Sequence, residues 1–322
     1  MPTRLKLLLF FFAITVNASH ASAAGNCAAD QIVTCPKPTG SIEACQSTNQ
    51  DVAAHLTFNF ETKFSCDRIQ NNPLEPKKHE LCVAEKQKDW TPSEKDLVQR
   101  TINRMIKNPK LRSVFLELAA NGPIELHRSN SATTLDEKNK PTDIDGAYAF
   151  FSKDKNGVTL TDFFFSEAKR MNNSCAGFLF PTADKELEHV LVHELAHEYA
   201  FYKSKLDEDC SFLKAAGWSA FGESLNVIDA KKLESLRQAG RDLIRQNKIA
   251  EAAAWTKTQA RKSGYPTLYG MSSNVEAFAE FFTFLALDDQ GSSYIKPEVV
   301  SWFYNSVFSS HPHGKSCPPK AM

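Results

Sequence analysis

The stretch VLVHELAHEYAF, from Val190 to Phe201, contains two histidines four residues apart with a glutamate directly after the first. On an α-helix, residues at positions i and i+4 lie on one face, so His193 and His197 can point their ring nitrogens at a single atom. Zinc bound by such a pair needs a third protein ligand and a position for water, which Glu194 is placed to reach. The pattern therefore predicts a metal site on a helix.

The alternative is that this five-residue pattern arises by chance on an ordinary helix. The residues around the polar ones are apolar, which predicts a buried helix, where uncompensated histidines and a glutamate are unfavourable. A bound metal removes this penalty. His189 adds a third histidine to the same face, but it lies roughly 12 Å from His197 on a helix, and Val190 rather than a glutamate follows it. We therefore interpret His189 as a structural or outer residue.

The motif leaves the third ligand open. The metzincin class is excluded, because it requires glycine and histidine where the chain has Ala200 and Lys203. Further along, NVEAFAEFF is predicted to form a helix that carries Glu276 and Glu280 one turn apart. Ser273 and Glu276 also fit a capping box, in which the glutamate only closes the start of a helix. Three acidic residues closer to the motif are further candidates: Asp207, Glu208 and Asp209.

These motifs carry a resemblance to a known family. HExxH at 193–197, followed by Glu-x-Phe-Ala-Glu with Tyr269 seven residues before the first glutamate, resembles the gluzincin metallopeptidases, particularly the catalytic domain of anthrax lethal factor and its relatives. The resemblance implies a zincin-like fold, Glu276 as the third zinc ligand and Tyr269 as the group that stabilises the oxyanion. It covers residues 184–287.

The spacing departs from the family. Between His197 and Glu276 lie 78 residues, which contain two predicted helical segments. This insertion is a candidate substrate-recognition element.

The first 23 residues have the features of a signal peptide. Arg4 and Lys6 precede an apolar run from residue 7 to residue 16, and Ala21-Ser22-Ala23 fits a cleavage site. No later stretch approaches the roughly 20 apolar residues that span a bilayer. We therefore expect a secreted or periplasmic protein without stable membrane insertion.

The cysteines agree with export. All eight follow the predicted cleavage site, and five lie within residues 24–90, which we interpret as a disulfide-rich N-terminal region. No Cys-x-x-Cys pair is present, so a zinc cluster of cysteines is not expected. The eight are Cys27, Cys35, Cys45, Cys66, Cys82, Cys175, Cys210 and Cys317.

The predicted main domain covers residues 91–322. Thr91, Pro92 and Glu94 form a helix start with a capping box. Residues 147–151 and 158–165 are rich in aromatic and β-branched side chains and predict a small sheet, and the chain is helical in pattern from the motif onwards. The fold class is therefore α+β, with a small mixed sheet, an active-site helix and a helical C-terminal lobe. By analogy, residues 158–165 are a candidate edge strand for an extended peptide.

Together, these features predict a secreted zinc metallopeptidase that acts on a protein or peptide, with Glu194 as general base. The net charge of +0 gives no support for a nucleic-acid partner. Two alternatives remain from the sequence. One is a non-catalytic binding protein with a structural zinc site, and the other is a zinc hydrolase of a non-peptide amide, such as one in cell-wall material.

Overall fold

A computed structural model describes residues 58–61, 78–119, 122–136, 138, 140–144, 147–152, 157–166, 182–203, 205–218, 230–287 and 291–308 of the 322-residue chain. The predicted signal peptide lies outside these residues. Cys82 and Cys210 are within them, and each is disulfide-bonded. Among the described residues, no helix is both long and apolar enough to cross a membrane.

The described strands form one mixed sheet and one short ribbon. In the sheet the spatial order is β1, β2, β6, β5; the first three are parallel, and β5 runs antiparallel to β6. β3 and β4 pair antiparallel. The strands are β1 Phe58–Glu61, β2 Ile124–Ser129, β3 Ala132–Leu135, β4 Pro141–Ile144, β5 Ala149–Ser152 and β6 Gly157–Thr161.

Helices make up most of the remaining described chain, so the architecture is α+β as predicted. They are α1 Lys78–Ala84, α2 Pro92–Met105, α3 Pro109–Ala119, α4 Asp162–Phe165, α5 Ala183–Tyr202, α6 Cys210–Ala216, α7 Ala230–Arg245, α8 Ile249–Lys262, α9 Asn274–Leu287 and α10 Pro297–Ser306.

Helix α5, which carries the histidine motif, is buried on several sides. It packs against strand β5 and helices α2 and α9, and its start is capped by Thr182, whose hydroxyl accepts the N–H of Lys185. His193 is 6% exposed and Glu194 is 9% exposed. The sequence prediction that this is a buried helix is confirmed.

The predicted start of α2 is also confirmed. Thr91 Oγ1 accepts the N–H of Glu94, and Glu94 Oε2 accepts the N–H of Thr91, which completes the capping box. The other oxygen of Glu94 accepts a hydrogen bond from Arg128 at 2.8 Å, and Arg128 also bonds Asp162 at 2.5 Å. Arg128 on β2 is only 1% exposed, so this buried guanidinium joins the starts of α2 and α4 to the sheet.

The prediction that residues 158–165 form an edge strand is wrong. Residues 158–161 lie in β6, which pairs with β2 on one side and β5 on the other. The chain then turns into α4, because the hydroxyl of Thr161 caps this helix by accepting the N–H of Phe163. Phe163 and Phe164 are buried in the core, so tertiary packing overrides the preference of aromatic residues for strands. Among the described strands, the one at the sheet edge beside α5 is β5.

Strand β1 shows how the N-terminal region relates to the rest. It belongs to residues 24–90, yet Phe58 to Glu61 pair in parallel with Ile124 to His127 of β2. This part of the predicted N-terminal region is therefore integrated into the main sheet.

The insertion between the two motifs contains a helical hairpin, α7 and α8. The two helices pack on each other. At Gly240 a Cβ atom would lie 2.8 Å from Cγ2 of Thr256, so the glycine permits this close approach. The two predicted helical segments are thus confirmed. The chain leaves α8 and reaches the turn that carries Tyr269 within a few residues.

Candidate metal centre

The centre forms where α5 packs against α9. His193 and His197 lie one turn apart on α5, and Glu276 lies in the first turn of α9. Ser273 Oγ accepts the N–H of Glu276 at 3.1 Å, so the serine caps α9. The Glu276 carboxylate meanwhile reaches the histidines. The capping and ligand interpretations of Glu276 are therefore compatible.

The three side chains bring one ligand atom each to a common point. Nε2 of His193 lies 3.1 Å from Nε2 of His197 and 3.1 Å from Oε2 of Glu276. Nε2 of His197 lies 3.4 Å from the same oxygen. In a tetrahedral zinc site with bonds of about 2.0–2.1 Å, ligand atoms lie about 3.3 Å apart. Two imidazoles and a carboxylate in this triangle fit a zinc ion.

The carboxylates and imidazoles of the site shift one another's pKa values. Burial of His193 lowers its pKa, but Glu276 and Glu280 outweigh this effect and raise the pKa of His193 well above its usual value. Burial acts to raise the pKa of Glu276, yet the adjacent His197 and His193 hold it well below its usual range. Metal binding at this site requires unprotonated ligand nitrogens, so metal and protons compete for them.

Glu280 contacts the opposite side of the His193 ring. Its Oε1 lies 2.9 Å from Nδ1 of His193, a close charged contact that lacks the alignment of a regular hydrogen bond. Oε1 also lies 3.8 Å from Nε2 of His189. Glu280 is therefore placed behind the ligand triangle, where outer carboxylates orient metal-binding histidines. His189, as expected, lies outside the triangle.

Glu194 is held between the helix and the sheet edge. Its Oε2 accepts the backbone N–H of Phe151, in β5, at 2.8 Å. Burial raises the pKa of Glu194 and exceeds the opposing effect of the His193 and His197 charges. A carboxyl with a raised pKa is a better proton acceptor than an ordinary glutamate, and this one is fixed close to the charges of His193 and His197.

Tyr269 also reaches the centre. Its ring centroid lies 5.7 Å from that of His193, and its hydroxyl interacts with the Glu276 carboxylate. Burial raises the pKa of Tyr269 well above its usual value, and the negative charges of Glu276 and Glu194 raise it further. The hydroxyl therefore remains protonated at neutral pH and can donate a hydrogen bond.

The other acidic candidates have different contacts. Glu208 pairs with Lys205 at 3.0 Å, and Asp209 caps α6 by accepting the N–H groups of Ser211 and Phe212. Asp207 lies near enough to His197 for the two charges to interact. In the described chain, the ligand triangle comprises His193, His197 and Glu276.

Two features of the site were not predicted from the sequence. The contact of Glu194 with Phe151 is made by a backbone N–H, which has no side-chain signature. The hydroxyl of Thr267 donates a hydrogen bond to Glu280 at 2.8 Å. A single threonine in a turn is too common to indicate such a contact from the sequence. For Glu280, the one available signal was its position one turn after Glu276.

Comparison with known proteins gave no match. No protein-family model matches the chain, and searches of the curated proteins and of the solved structures found no significant match. Assignment of a function to this chain therefore depends on the geometry and chemistry of the centre itself.

Proposed function

We propose that this protein is a secreted zinc metallopeptidase of the gluzincin type, with zinc held by His193, His197 and Glu276. The observation that carries the proposal is the ligand triangle, whose edges of 3.1–3.4 Å agree with tetrahedral zinc. The proposal is supported by Glu194 and Tyr269 beside the triangle, because a structural zinc site requires neither a general base nor an oxyanion donor. A zincin-like arrangement of α5, α9 and the sheet is part of the same proposal.

Zinc bound there would supply Lewis acidity, lowering the pKa of a bound water to about 7 and polarising a carbonyl group. The protein's own part is proton transfer. Glu194 accepts a proton from the attacking water and delivers it to the leaving amine. The N–H of Phe151 fixes one oxygen of this carboxylate, which limits its rotation and keeps it close to the reacting groups.

Tyr269 is the proposed oxyanion donor. Its hydroxyl stays protonated because burial and the neighbouring carboxylates raise its pKa. This hydroxyl is hydrogen-bonded to the Glu276 carboxylate. A developing negative charge on the substrate oxygen offers a stronger acceptor for the same O–H.

The proposed substrate is an extended peptide lying along β5. The backbone N–H of Thr161 donates to the C=O of Tyr148. Since hydrogen-bonded and non-hydrogen-bonded pairs alternate along antiparallel strands, the N–H and C=O groups of Ala149 and Phe151 point away from β6. The N–H of Phe151 is taken by Glu194. Ala149 is only 2% exposed, whereas Phe151 is partly exposed, so the C=O of Phe151 is the group that can pair with an added peptide strand.

Export and disulfide formation belong to the proposal. The signal-like sequence of residues 1–23 and the even number of cysteines predict an oxidising compartment, either the periplasm or the exterior of the cell. The disulfide bonds of Cys82 and Cys210 support this assignment, since such bonds are rare in the cytosol.

The deciding experiment has two measurements on mature protein from an oxidising compartment. Elemental analysis should give about one zinc per chain, lost in His193→Ala. Incubation with a denatured protein mixture, followed by mass spectrometry, should reveal new peptide termini that a chelator suppresses. Zinc without new termini would exclude the peptidase and leave a structural zinc site or a non-peptide substrate. Absence of zinc from folded protein after reconstitution would remove the metal site itself.

A further inference from the structure

The hydroxyl of Thr267 makes two buried hydrogen bonds. It donates to Oε2 of Glu280 at 2.8 Å and accepts the backbone N–H of Gly270 at 2.9 Å. Thr267 is 1% exposed and Glu280 is 4% exposed. Because both the donor and an acceptor site of the hydroxyl are used, its position is fixed from two directions.

Glu280 connects this hydroxyl to the metal ligand. Oε2 receives the Thr267 hydrogen bond, while Oε1 contacts Nδ1 of His193 at 2.9 Å. Both oxygens of this carboxylate are therefore engaged, one with Thr267 and the other with His193.

Gly270, whose N–H donates to Thr267, also contacts Glu280 directly. A Cβ atom at this position would lie 3.0 Å from Cβ and 3.2 Å from Cγ of Glu280. The turn therefore lies directly on the Glu280 side chain, which would have to shift by a few tenths of an ångström to admit a larger residue at this position. Gly270 directly follows Tyr269, so the contact that fixes the glycine also fixes the backbone that presents the tyrosine.

We propose that Thr267 is a positioning residue that couples the two halves of the centre: through Glu280 it orients the His193 ring, and through the N–H of Gly270 it holds the turn that presents Tyr269. The metal-dependent part of this inference rests on the proposed function. The coupling explains why a polar side chain is buried in this turn. It also predicts that removing one hydroxyl disturbs both the ligand and the turn.

The first test measures zinc affinity by competition with a chromophoric chelator. Thr267→Val removes both hydrogen bonds at nearly constant volume and should weaken zinc binding by about tenfold, as loss of an outer partner does. Thr267→Ser should restore the affinity to within about twofold. Thr283→Val is the matched control, since Thr283 on α9 is equally buried but donates to the backbone carbonyl of Ala279 within its own helix. Equal affinities for Thr267→Val and Thr283→Val would overturn the inference.

The second test asks whether the effect passes through Glu280. If Thr267 acts by way of this carboxylate, the double variant Thr267→Val/Glu280→Gln should bind zinc no more weakly than Glu280→Gln alone. Additive losses would show that Thr267 acts by a different route. Thr267→Ala removes the hydroxyl without adding a methyl group, and it replaces the valine variant in both tests if the latter does not fold.

The third test needs no metal. In metal-free protein, amide hydrogen exchange at Gly270 should be at least tenfold faster in Thr267→Val than in the wild type, and unchanged in Thr267→Ser and Thr283→Val. Unaltered exchange would remove the link to the turn. This measurement separates the two proposals, because wild-type protein that binds no zinc contradicts the proposed function while the exchange result still decides the role of Thr267.

Discussion

Glu280 and His193 are in contact on the side of the imidazole ring that faces away from the ligand triangle, with Oε1 2.9 Å from Nδ1. Glu276 contacts Nε2 of the same ring at 3.1 Å. The two glutamates, one turn apart on α9, therefore hold opposite nitrogens of one histidine. In the proposed zinc site the two have different roles, Glu276 as a ligand and Glu280 as the residue that orients the ring.

Substitution of the two glutamates should separate these roles. Glu280→Gln should lower zinc affinity by about 10–100-fold, because an outer partner is lost but all three ligands remain. Glu276→Gln should lower it further, since a charged ligand is lost. Chelator competition at fixed pH gives both values. If Glu280→Gln proved the more damaging change, Glu280 would be the ligand instead.

Replacement of Glu194 should separate catalysis from metal binding. In Glu194→Gln, the zinc content should stay near one per chain while peptide turnover falls by about 10²–10⁴-fold, the range expected for loss of a general base. Glu198→Gln is the matched control, because Glu198 is a buried glutamate on the same helix outside the ligand triangle. Full turnover in Glu194→Gln would contradict the proposed proton transfer.

Glu198 should make stability depend on pH. It is 3% exposed, its Oε2 has no hydrogen-bond partner among the described residues, and burial raises its pKa from 4.5 to about 7. Between these values the folded state binds a proton that the unfolded state releases, so stability should fall as pH rises from 4.5 to about 7 and then level off.

The fall attributable to Glu198 should amount to about 3 kcal/mol. Glu198→Gln should therefore be more stable than the wild type at pH 8 and similar to it at pH 4, as measured by urea unfolding of the metal-free protein. Glu251→Gln is a suitable control, because the Glu251 side chain is 58% exposed. A constant difference between Glu198→Gln and the wild type across this pH range would contradict the prediction.

Loss of Arg128 should destabilise the fold. Arg128→Met leaves the Glu94 carboxylate without its guanidinium partner, whereas Asp162 keeps Lys88 at 2.9 Å. We expect a loss of about 3 kcal/mol in the free energy of unfolding, as for one broken partner of a buried ion pair. In contrast, Arg100→Met removes an exposed pair with Asp96 on α2 and a longer contact of 3.6 Å with Asp184. Because the Arg100 side chain is half-exposed, we expect a change in stability of less than about 1 kcal/mol. Equal effects in urea unfolding would refute this view of Arg128.

The sequence predicted the elements whose signals are local. The capping box at Thr91, the buried helix α5 and the helix carrying Glu276 all follow from short-range spacing, and each is confirmed. The error at residues 158–165 arose because aromatic residues favour strands, whereas the Thr161 cap and the burial of Phe164 decide the local structure. Propensity alone does not contain that tertiary information.

Within the centre, side-chain positions on a single helix were predictable and contacts between distant elements were not. His193 and His197 converge because helical geometry requires it. The N–H of Phe151 donates to Glu194, which is 43 positions away in the sequence. The residues around Phe151 and around Glu194 contain no pattern that predicts this contact. The same is true of Thr267 and Glu280, which meet only once the turn folds onto α9.

His193 and Glu276 are 83 positions apart in the sequence, and their contact closes a long loop of the chain. The helical hairpin of α7 and α8 lies within this loop. The entropy lost on closing a flexible loop grows only with the logarithm of its length, at roughly 0.6 kcal/mol for each doubling. Lengthening or shortening the hairpin therefore changes the closure entropy of the centre very little. Evolution can thus remodel this segment, including its surface, while the reacting groups keep their mutual positions.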